Sequence, residues 1–116
     1  MPQLDIGQLQ LPAEQLHTLQ NLLAQCLPQA EVWAYGSRVS GRAHEGSDLD
    51  LVLRNPADLS ADVGNWADLQ EALQNSNLPI LVEAHLWSRL PAAFHANIAA
   101  AYIVLQAGTN PSSAME

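Results

Sequence analysis

The sequence contains no lysine, and its only basic side chains are four arginines. Against these stand 12 aspartates and glutamates, so the formal net charge is −8 at pH 7. A surface this poor in cations repels a phosphate backbone, which argues against nucleic acid as a direct substrate. The same imbalance favours divalent cations or a basic protein as binding partners.

Cysteine is nearly absent too, since Cys26 is the single one. No intramolecular disulfide is possible, and no cysteine–histidine cluster has zinc spacing. We interpret Cys26, on the apolar stripe of a predicted helix, as a core residue rather than a nucleophile. The sequence shows no signal peptide and no apolar run that spans a membrane. We therefore expect a cytoplasmic protein without a membrane partner.

Length and composition predict one globular domain, because the chain has 116 residues and is 48% hydrophobic. We expect three segments: an irregular lead-in at 1–11, the folded domain at 12–107 and a disordered tail at 108–116. Strands and helices alternate along the domain, which favours a layered α/β or α+β fold.

The secondary structure follows from hydrophobic periodicity and from the breakers Pro and Gly. Helical spacing predicts helices at 12–27, 59–73 and 91–102, with a short one at 37–42. Alternation and β-branched residues predict strands at 31–35, 48–54 and 79–86. Residues 103–106 either extend the last helix or add a short strand.

The turn that begins at Gly36 has the properties of a phosphate site. Gly36 closes a predicted strand and lets the backbone approach a ligand with no Cβ in the way. Ser37 follows at the start of a short helix, where free N–H groups and the helix dipole favour an anion. Arg38, one residue further, has the length to reach a triphosphate oxygen.

Two aspartates follow at a spacing that places them on one face of a strand. Asp48 and Asp50 are separated by one residue, whereas Leu49, Leu51 and Leu53 alternate with them toward the core. Two neighbouring carboxylates repel each other unless cations lie between them. A pair of divalent ions about 3.5–4 Å apart is the usual clamp for displacement at phosphorus, and Mg²⁺ prefers such oxygen ligands.

Glu83 lies in the otherwise apolar segment PILVEAHL. It is either a charged residue on a strand edge or a functional carboxylate. We favour the second interpretation, because a carboxylate among apolar residues needs a partner or a metal ion. His85 shares its face, and we interpret that histidine as hydrogen-bonded in place rather than catalytic.

The segment GSRVSGRAHEGSDLDL resembles the GS-x(n)-SDxDL signature of the DNA polymerase β nucleotidyltransferase superfamily. From about Glu14 to Gln106 the layout is most similar to the minimal nucleotidyltransferases (MNT), the antitoxin halves of HEPN–MNT toxin–antitoxin pairs. The resemblance implies an α+β nucleotidyltransferase fold, a mixed sheet flanked by helices. It also implies two Mg²⁺ ions, ATP, and transfer of AMP to a tyrosine of a cognate HEPN ribonuclease toxin, in a hetero-oligomer that silences the toxin.

The resemblance also assigns residues, and we combine it with the analysis above. The nucleotide-binding set is Gly36, Ser37, Arg38 and Ser47. The set that binds metal and catalyses is Asp48, Asp50 and Glu83. Most family members have Asp where Glu83 stands, and the longer side chain shifts the carboxylate.

Two alternatives to an active adenylyltransferase stay open, and the departure at Glu83 concerns the first. One is a catalytically weak or inactive binding module that neutralises the toxin sterically, and the other is a stand-alone transferase acting on a small molecule. The chain has little room for an acceptor-binding domain, so we expect a partner protein to present the acceptor. A helix face built on Phe94, Ile98 and Tyr102 is a candidate contact surface.

Overall fold

The computed structural model describes residues 4, 6–41 and 48–108 of the chain. Its strands are β1 (Glu31–Tyr35), β2 (Leu49–Arg54), β3 (Val82–Leu86) and β4 (Ile103–Gln106). Its α-helices are α1 (Ala13–Cys26), α2 (Ser37–Ser40), α3 (Trp66–Gln74) and α4 (Ala92–Ala100). Short 3-10 turns occupy Ile6–Gln8 and Trp87–Arg89.

The four strands form one mixed sheet in the order β3-β2-β1-β4. β1 pairs antiparallel with both β2 and β4, whereas β2 and β3 are parallel. A parallel pair needs a crossover connection, and α3 lies within the segment that joins β2 to β3. The predicted α+β class, a mixed sheet with flanking helices, is therefore confirmed.

The main core lies between one face of the sheet and the helices α1 and α3. Alternate residues of β2 point into it and are almost fully buried, as the alternating pattern predicted. The largest buried side chains are Leu19, Leu23, Leu49, Leu51, Leu53, Leu69 and Ile103. Cys26 is partly buried and packs against this cluster, in agreement with its interpretation as a core residue.

The opposite face of the sheet carries a smaller, aromatic cluster. Trp33 stacks on Tyr102 with ring centroids 3.8 Å apart, and Trp87 meets Trp33 edge-on at 5.5 Å. The Arg54 guanidinium lies 3.9 Å from the Trp33 ring and donates to Glu31 over 2.8 Å. These aromatic side chains therefore form a second, smaller hydrophobic core on this face of the sheet.

Several element boundaries differ from the sequence prediction, and among them β3 begins at Val82 rather than at residue 79. The helix predicted from Leu59 begins only at Trp66. Asp58 forms a turn and Asn65 has a left-handed backbone, so the residues between them do not continue a helix. Leu59 is therefore 41% exposed. The last helix ends at Ala100, two residues early. Residues 103–106, for which the sequence left helix and strand open, form strand β4, since alternate burial of its side chains suits pairing with β1.

Described residues of the predicted lead-in pack against the domain. Leu9 is buried in the main core, and the backbone N–H of Leu4 donates to the backbone carbonyl of Tyr102. The predicted disordered tail lies outside the described residues from 109 onward. Within the described ranges, every helix is too short or too polar to cross a bilayer.

Candidate active site

Strand register brings three polar side chains into one row across the sheet. Asp50 in β2 is the direct neighbour of Tyr35 in β1 and of Glu83 in β3. All three lie on the face opposite α1 and α3, because Leu49 and Leu51 point into the main core. The two carboxylates predicted to act together are therefore adjacent, although they come from distant parts of the sequence.

His85 joins these carboxylates in a compact group of potential ligands. One donor atom from each of Asp50, Glu83 and His85 lies within 4.8 Å of the others. The His85 Nε2 atom is 3.8 Å from Glu83 Oε2, and the two side chains are 40% and 45% exposed. The group is thus open to solvent and to ligands on the sheet face.

The electrostatics of the row are unfavourable without a cation. Burial raises the pKa of Asp50, and the carboxylates of Glu83 and Asp48 raise it further, whereas His85 lowers it. Burial and the same neighbours, Asp50 and Glu83, raise the pKa of Tyr35 to about 12. The Tyr35 phenol therefore remains neutral at physiological pH. A positive ion between the Asp50 and Glu83 carboxylates would be strongly attracted by both.

The Gly36 turn lies directly against the Asp50 carboxylate. Gly36 has φ 87° and ψ −155°, a conformation that favours glycine, and a Cβ there would stand 2.7 Å from Asp50 Oδ2. The turn leads into α2, where Ser37 is the first residue and the Val39 N–H bonds back to the Gly36 carbonyl. The predicted phosphate-binding turn and the predicted metal-binding residue Asp50 are thus in direct proximity.

Asp48 lies at the edge of this arrangement. It is exposed, immediately before β2, and its carboxylate is outside the group formed by Asp50, Glu83 and His85. Its charge still acts on Asp50, as the raised pKa of that carboxyl shows. Ser47, predicted to bind nucleotide, lies outside the described residues.

Arg38, predicted to bind nucleotide, makes a structural contact with the N-terminal segment. Its side chain is buried, with 6% exposure, and Nη1 donates to the backbone carbonyl of Gln10 over 2.6 Å. The Gln10 N–H donates in return to the Arg38 carbonyl over 2.8 Å. The guanidinium therefore links the N-terminal segment to α2, and its contact with a triphosphate stays a prediction.

The reasoning that singled out Glu83 also needs correction. We inferred a partner from burial among apolar residues, but β3 is an edge strand and Glu83 is exposed. Glu83 belongs to the site because the register of β2 and β3 places it beside Asp50. The sequence analysis placed His85 on the same strand face as Glu83 but did not include it in the site, although a position two residues after Glu83 predicts that both side chains lie on the same side of the sheet.

A cleft of about 620 Å³ runs between α3 and the open edge of β3 and reaches both Glu83 and His85. The Trp66 indole donates to the Ala84 carbonyl over 3.2 Å and so holds the residue between them. A second cleft, of about 370 Å³, lies at the other end of β1 and β2, beside Pro28 and Asn55. Only the first adjoins the carboxylates.

The donor set fits a divalent cation. Two carboxylates and an imidazole supply oxygen and nitrogen ligands on one open face, and a cation would relieve the repulsion that raises the pKa of Asp50. Such a site beside a glycine turn at a strand end is the arrangement of a nucleotidyltransferase palm.

Comparison with known proteins agrees with this class. The chain belongs to the family described as "Poly(A) RNA polymerase, mitochondrial-like, central palm domain", which it matches over residues 3–99. It is 37% identical over 102 residues to the "Probable protein adenylyltransferase MntA" of Haemophilus influenzae, with 86% of each chain covered. The resemblance to nucleotidyltransferases of the MNT type is thereby confirmed.

A solved structure shares the fold. It is described as "Crystal structure of the toxin-antitoxin with AMP-PNP", and the alignment covers 86% of this chain and 78% of that one. The TM-score is 0.63 at 20% sequence identity, so the likeness concerns the backbone architecture.

Proposed function

We propose that this protein is an antitoxin that transfers AMP from ATP to a tyrosine hydroxyl of a partner HEPN ribonuclease toxin, as part of a cytoplasmic hetero-oligomer. The observation that carries the proposal is the adjacency of Asp50 and Glu83 beside the Gly36 turn. The relative named as a probable protein adenylyltransferase and the fold shared with a toxin–antitoxin protein support it.

The proposed reaction is an in-line displacement at the α-phosphorus of ATP. The tyrosine oxygen attacks, a new P–O bond forms, and the bond to the β-phosphate bridging oxygen breaks, so pyrophosphate leaves. The phenolic proton passes to the Glu83 carboxylate, which faces solvent and the cleft along β3. The products are adenylylated tyrosine, pyrophosphate and a protonated Glu83.

Each residue of the site has a defined task in this scheme. Asp48, Asp50 and Glu83 would hold Mg²⁺ ions, which neutralise charge on the phosphates when bound. The backbone after Gly36, together with the Ser37 hydroxyl, orients the β- and γ-phosphates. The rate then depends mainly on how well these groups are positioned, because phosphoryl transfer leaves the protein little covalent chemistry.

A protein acceptor fits the charge of the chain better than RNA does. The family description names an RNA polymerase, but a net charge of −8 without any lysine opposes a polyanionic substrate. A basic ribonuclease complements the same surface. Of the predicted contact residues, Ile98 is buried and Tyr102 is stacked on Trp33, so only Phe94, 52% exposed, is available on α4.

A second candidate is a binding module that covers the toxin without modifying it. It is favoured by the Asp48 carboxylate, which lies outside the group of ligands, and by the extra methylene of Glu83 compared with the usual Asp. In this alternative, the three carboxylates do not come close enough together to bind two metal ions.

The decisive experiment is mass spectrometry of the purified partner after incubation with this protein, ATP and Mg²⁺. Steps of one AMP unit on a tyrosine support the enzyme. Glu83→Gln keeps the shape but removes the basic group, so we expect transfer to fall by about 10²-fold or more. Glu83→Asp restores the usual family residue and should retain or increase the rate.

The matched control is Glu71→Gln, an exposed carboxylate on α3. It changes the net charge equally and should leave transfer unchanged. Equal transfer by wild type and Glu83→Gln would remove Glu83 from the mechanism. Neutralisation of the toxin without any AMP transfer by wild type would establish the binding module instead.

A further inference from the structure

His85 differs from His95, a second histidine near the sheet. The His95 ring stacks on Trp87 with centroids 3.8 Å apart, and its Nε2 lies 2.7 Å from the Trp87 carbonyl oxygen. The His95 ring therefore has a stacking partner and a hydrogen-bond partner within the fold. Among the described parts of the chain, the His85 ring has no hydrogen-bond partner, and its nearest charged neighbour is Glu83 at 3.8 Å.

This arrangement corrects our interpretation of His85 as a residue hydrogen-bonded in place. The ring is 40% exposed and its Nε2 is directed toward the Glu83 carboxylate side of the site. Together with Asp50 it completes a group of three donors within 4.8 Å. A ring nitrogen without a partner, next to two carboxylates, has a lone pair available for a cation.

The type of donor decides which cation suits the site. Mg²⁺ is a hard ion that prefers oxygen ligands and retains several waters. Imidazole nitrogen suits Zn, Cu, Fe and Ni ions best. Among ions that carboxylates also bind well, Mn²⁺ is softer than Mg²⁺ and accepts a nitrogen ligand more readily. Replacing an oxygen ligand by the His85 nitrogen therefore favours a transition metal over Mg²⁺.

We propose that His85 is a metal ligand of the Asp50–Glu83 site and that it gives this site a preference for a transition-metal ion such as Mn²⁺ over Mg²⁺. The inference rests on the proposed function, because Asp50 and Glu83 are the carboxylates assigned there to metal binding. It concerns the identity of the ion and adds one residue to the set of ligands.

The test is Mn²⁺ binding to the full, nucleotide-free chain, followed by the decrease of the electron paramagnetic resonance signal of free Mn²⁺. Competition with Mg²⁺ in the same samples gives the ratio of the two affinities. We expect His85→Gln to weaken Mn²⁺ binding by on the order of 10-fold, with little effect on Mg²⁺. His85→Asp, which supplies a third carboxylate, should shift the ratio toward Mg²⁺.

The control is His17→Gln, because His17 is exposed on α1, on the other side of the sheet. It removes an imidazole far from the site and should leave both affinities unchanged. Thermal melts of each variant confirm that it is folded. An unchanged Mn²⁺ to Mg²⁺ ratio in folded His85→Gln overturns the inference.

A parallel Asp50→Asn sample separates this failure from failure of the proposed function. If Asp50→Asn loses Mn²⁺ while His85→Gln does not, the carboxylate site stands and His85 is no ligand. If neither variant loses Mn²⁺, the metal site of the proposed function is wrong as well. If the wild type binds Mn²⁺ no more tightly than Mg²⁺, the preference assigned to His85 is refuted.

Discussion

The backbone of Gly36 faces the carboxylate of Asp50 so closely that a Cβ at position 36 would stand 2.7 Å from Oδ2. The turn that is predicted to bind phosphates and the aspartate that is predicted to bind metal are therefore geometrically coupled. A change in one displaces the other, although they belong to different elements of the fold.

This coupling predicts the effect of Gly36→Ala. The backbone conformation at Gly36 is strained for any other residue, at a cost of about 1–3 kcal/mol, and the new methyl group must displace the Asp50 carboxylate. We expect a lower melting temperature and a loss of AMP transfer that exceeds the loss of folded protein, measured below the melting transition.

Gly41→Ala is the matched control for that prediction. Gly41 also has a positive φ, 86°, but a Cβ there meets nothing within 4 Å. Its cost is limited to the left-handed backbone, about 1–2 kcal/mol, so transfer by the folded fraction should persist. Full transfer by Gly36→Ala would show that the turn and the aspartate are not coupled in catalysis.

The pH dependence of stability follows from the raised pKa of Asp50. Ionisation of this carboxyl costs more in the folded state than in the unfolded chain, because it is partly buried beside Glu83. The cost is present above the folded pKa and disappears as the pH falls below the ordinary value of 3.8. Without divalent ions, Asp50→Asn should therefore melt higher than wild type at pH 7, and this advantage should vanish in acid.

Asp58→Asn provides a control of opposite sign. Hydrogen bonds from Ser60 lower the pKa of Asp58, so its charge is favourable to the folded state. Removing that charge should not raise the melting temperature at neutral pH. A melting curve for Asp50→Asn that matches wild type across the pH range would show that the carboxylates of the site do not repel each other.

Addition of Mg²⁺ and ATP should stabilise the wild type. A ligand at about 100 times its Kd stabilises the folded state by about 2.7 kcal/mol when it binds only that state. Asp48→Asn combined with Asp50→Asn should abolish the resulting rise in melting temperature, because both carboxylates are assigned to the metal ions. A full rise in the folded double variant would exclude the two aspartates as ligands.

The placement of Arg38 predicts a structural phenotype. Arg38→Met removes a buried, charged donor to the Gln10 carbonyl, and bonds of this type contribute about 1.5–3 kcal/mol. We expect a lower melting temperature and an unchanged Kd for ATP. Arg89→Met, which removes an exposed ion pair with Asp62 and a contact of the guanidinium with the Trp66 ring, should change stability little. Weaker ATP binding with unchanged melting would instead support the predicted nucleotide-binding role of Arg38.

Local patterns in the sequence predicted much of the fold and part of the site. Alternation in the segment around Asp50 identified β2 and the face of each residue, because the side-chain period of a strand is independent of its partners. Gly36 and the helix start at Ser37 were recognisable because a turn conformation depends on neighbouring residues. The proposed set of Asp48, Asp50 and Glu83 drew in addition on family resemblance.

Only the tertiary structure decided which of these residues meet. The parallel register of β2 and β3 sets Glu83 beside Asp50 and adds His85, and a period-2 pattern specifies the face of a strand but not its neighbour. Likewise, the Arg38 side chain donates to the distant carbonyl of Gln10. The strand at 103–106 forms because it pairs with the edge of β1. Sequence determines local conformation and polarity, whereas contacts between distant segments depend on how the whole chain packs.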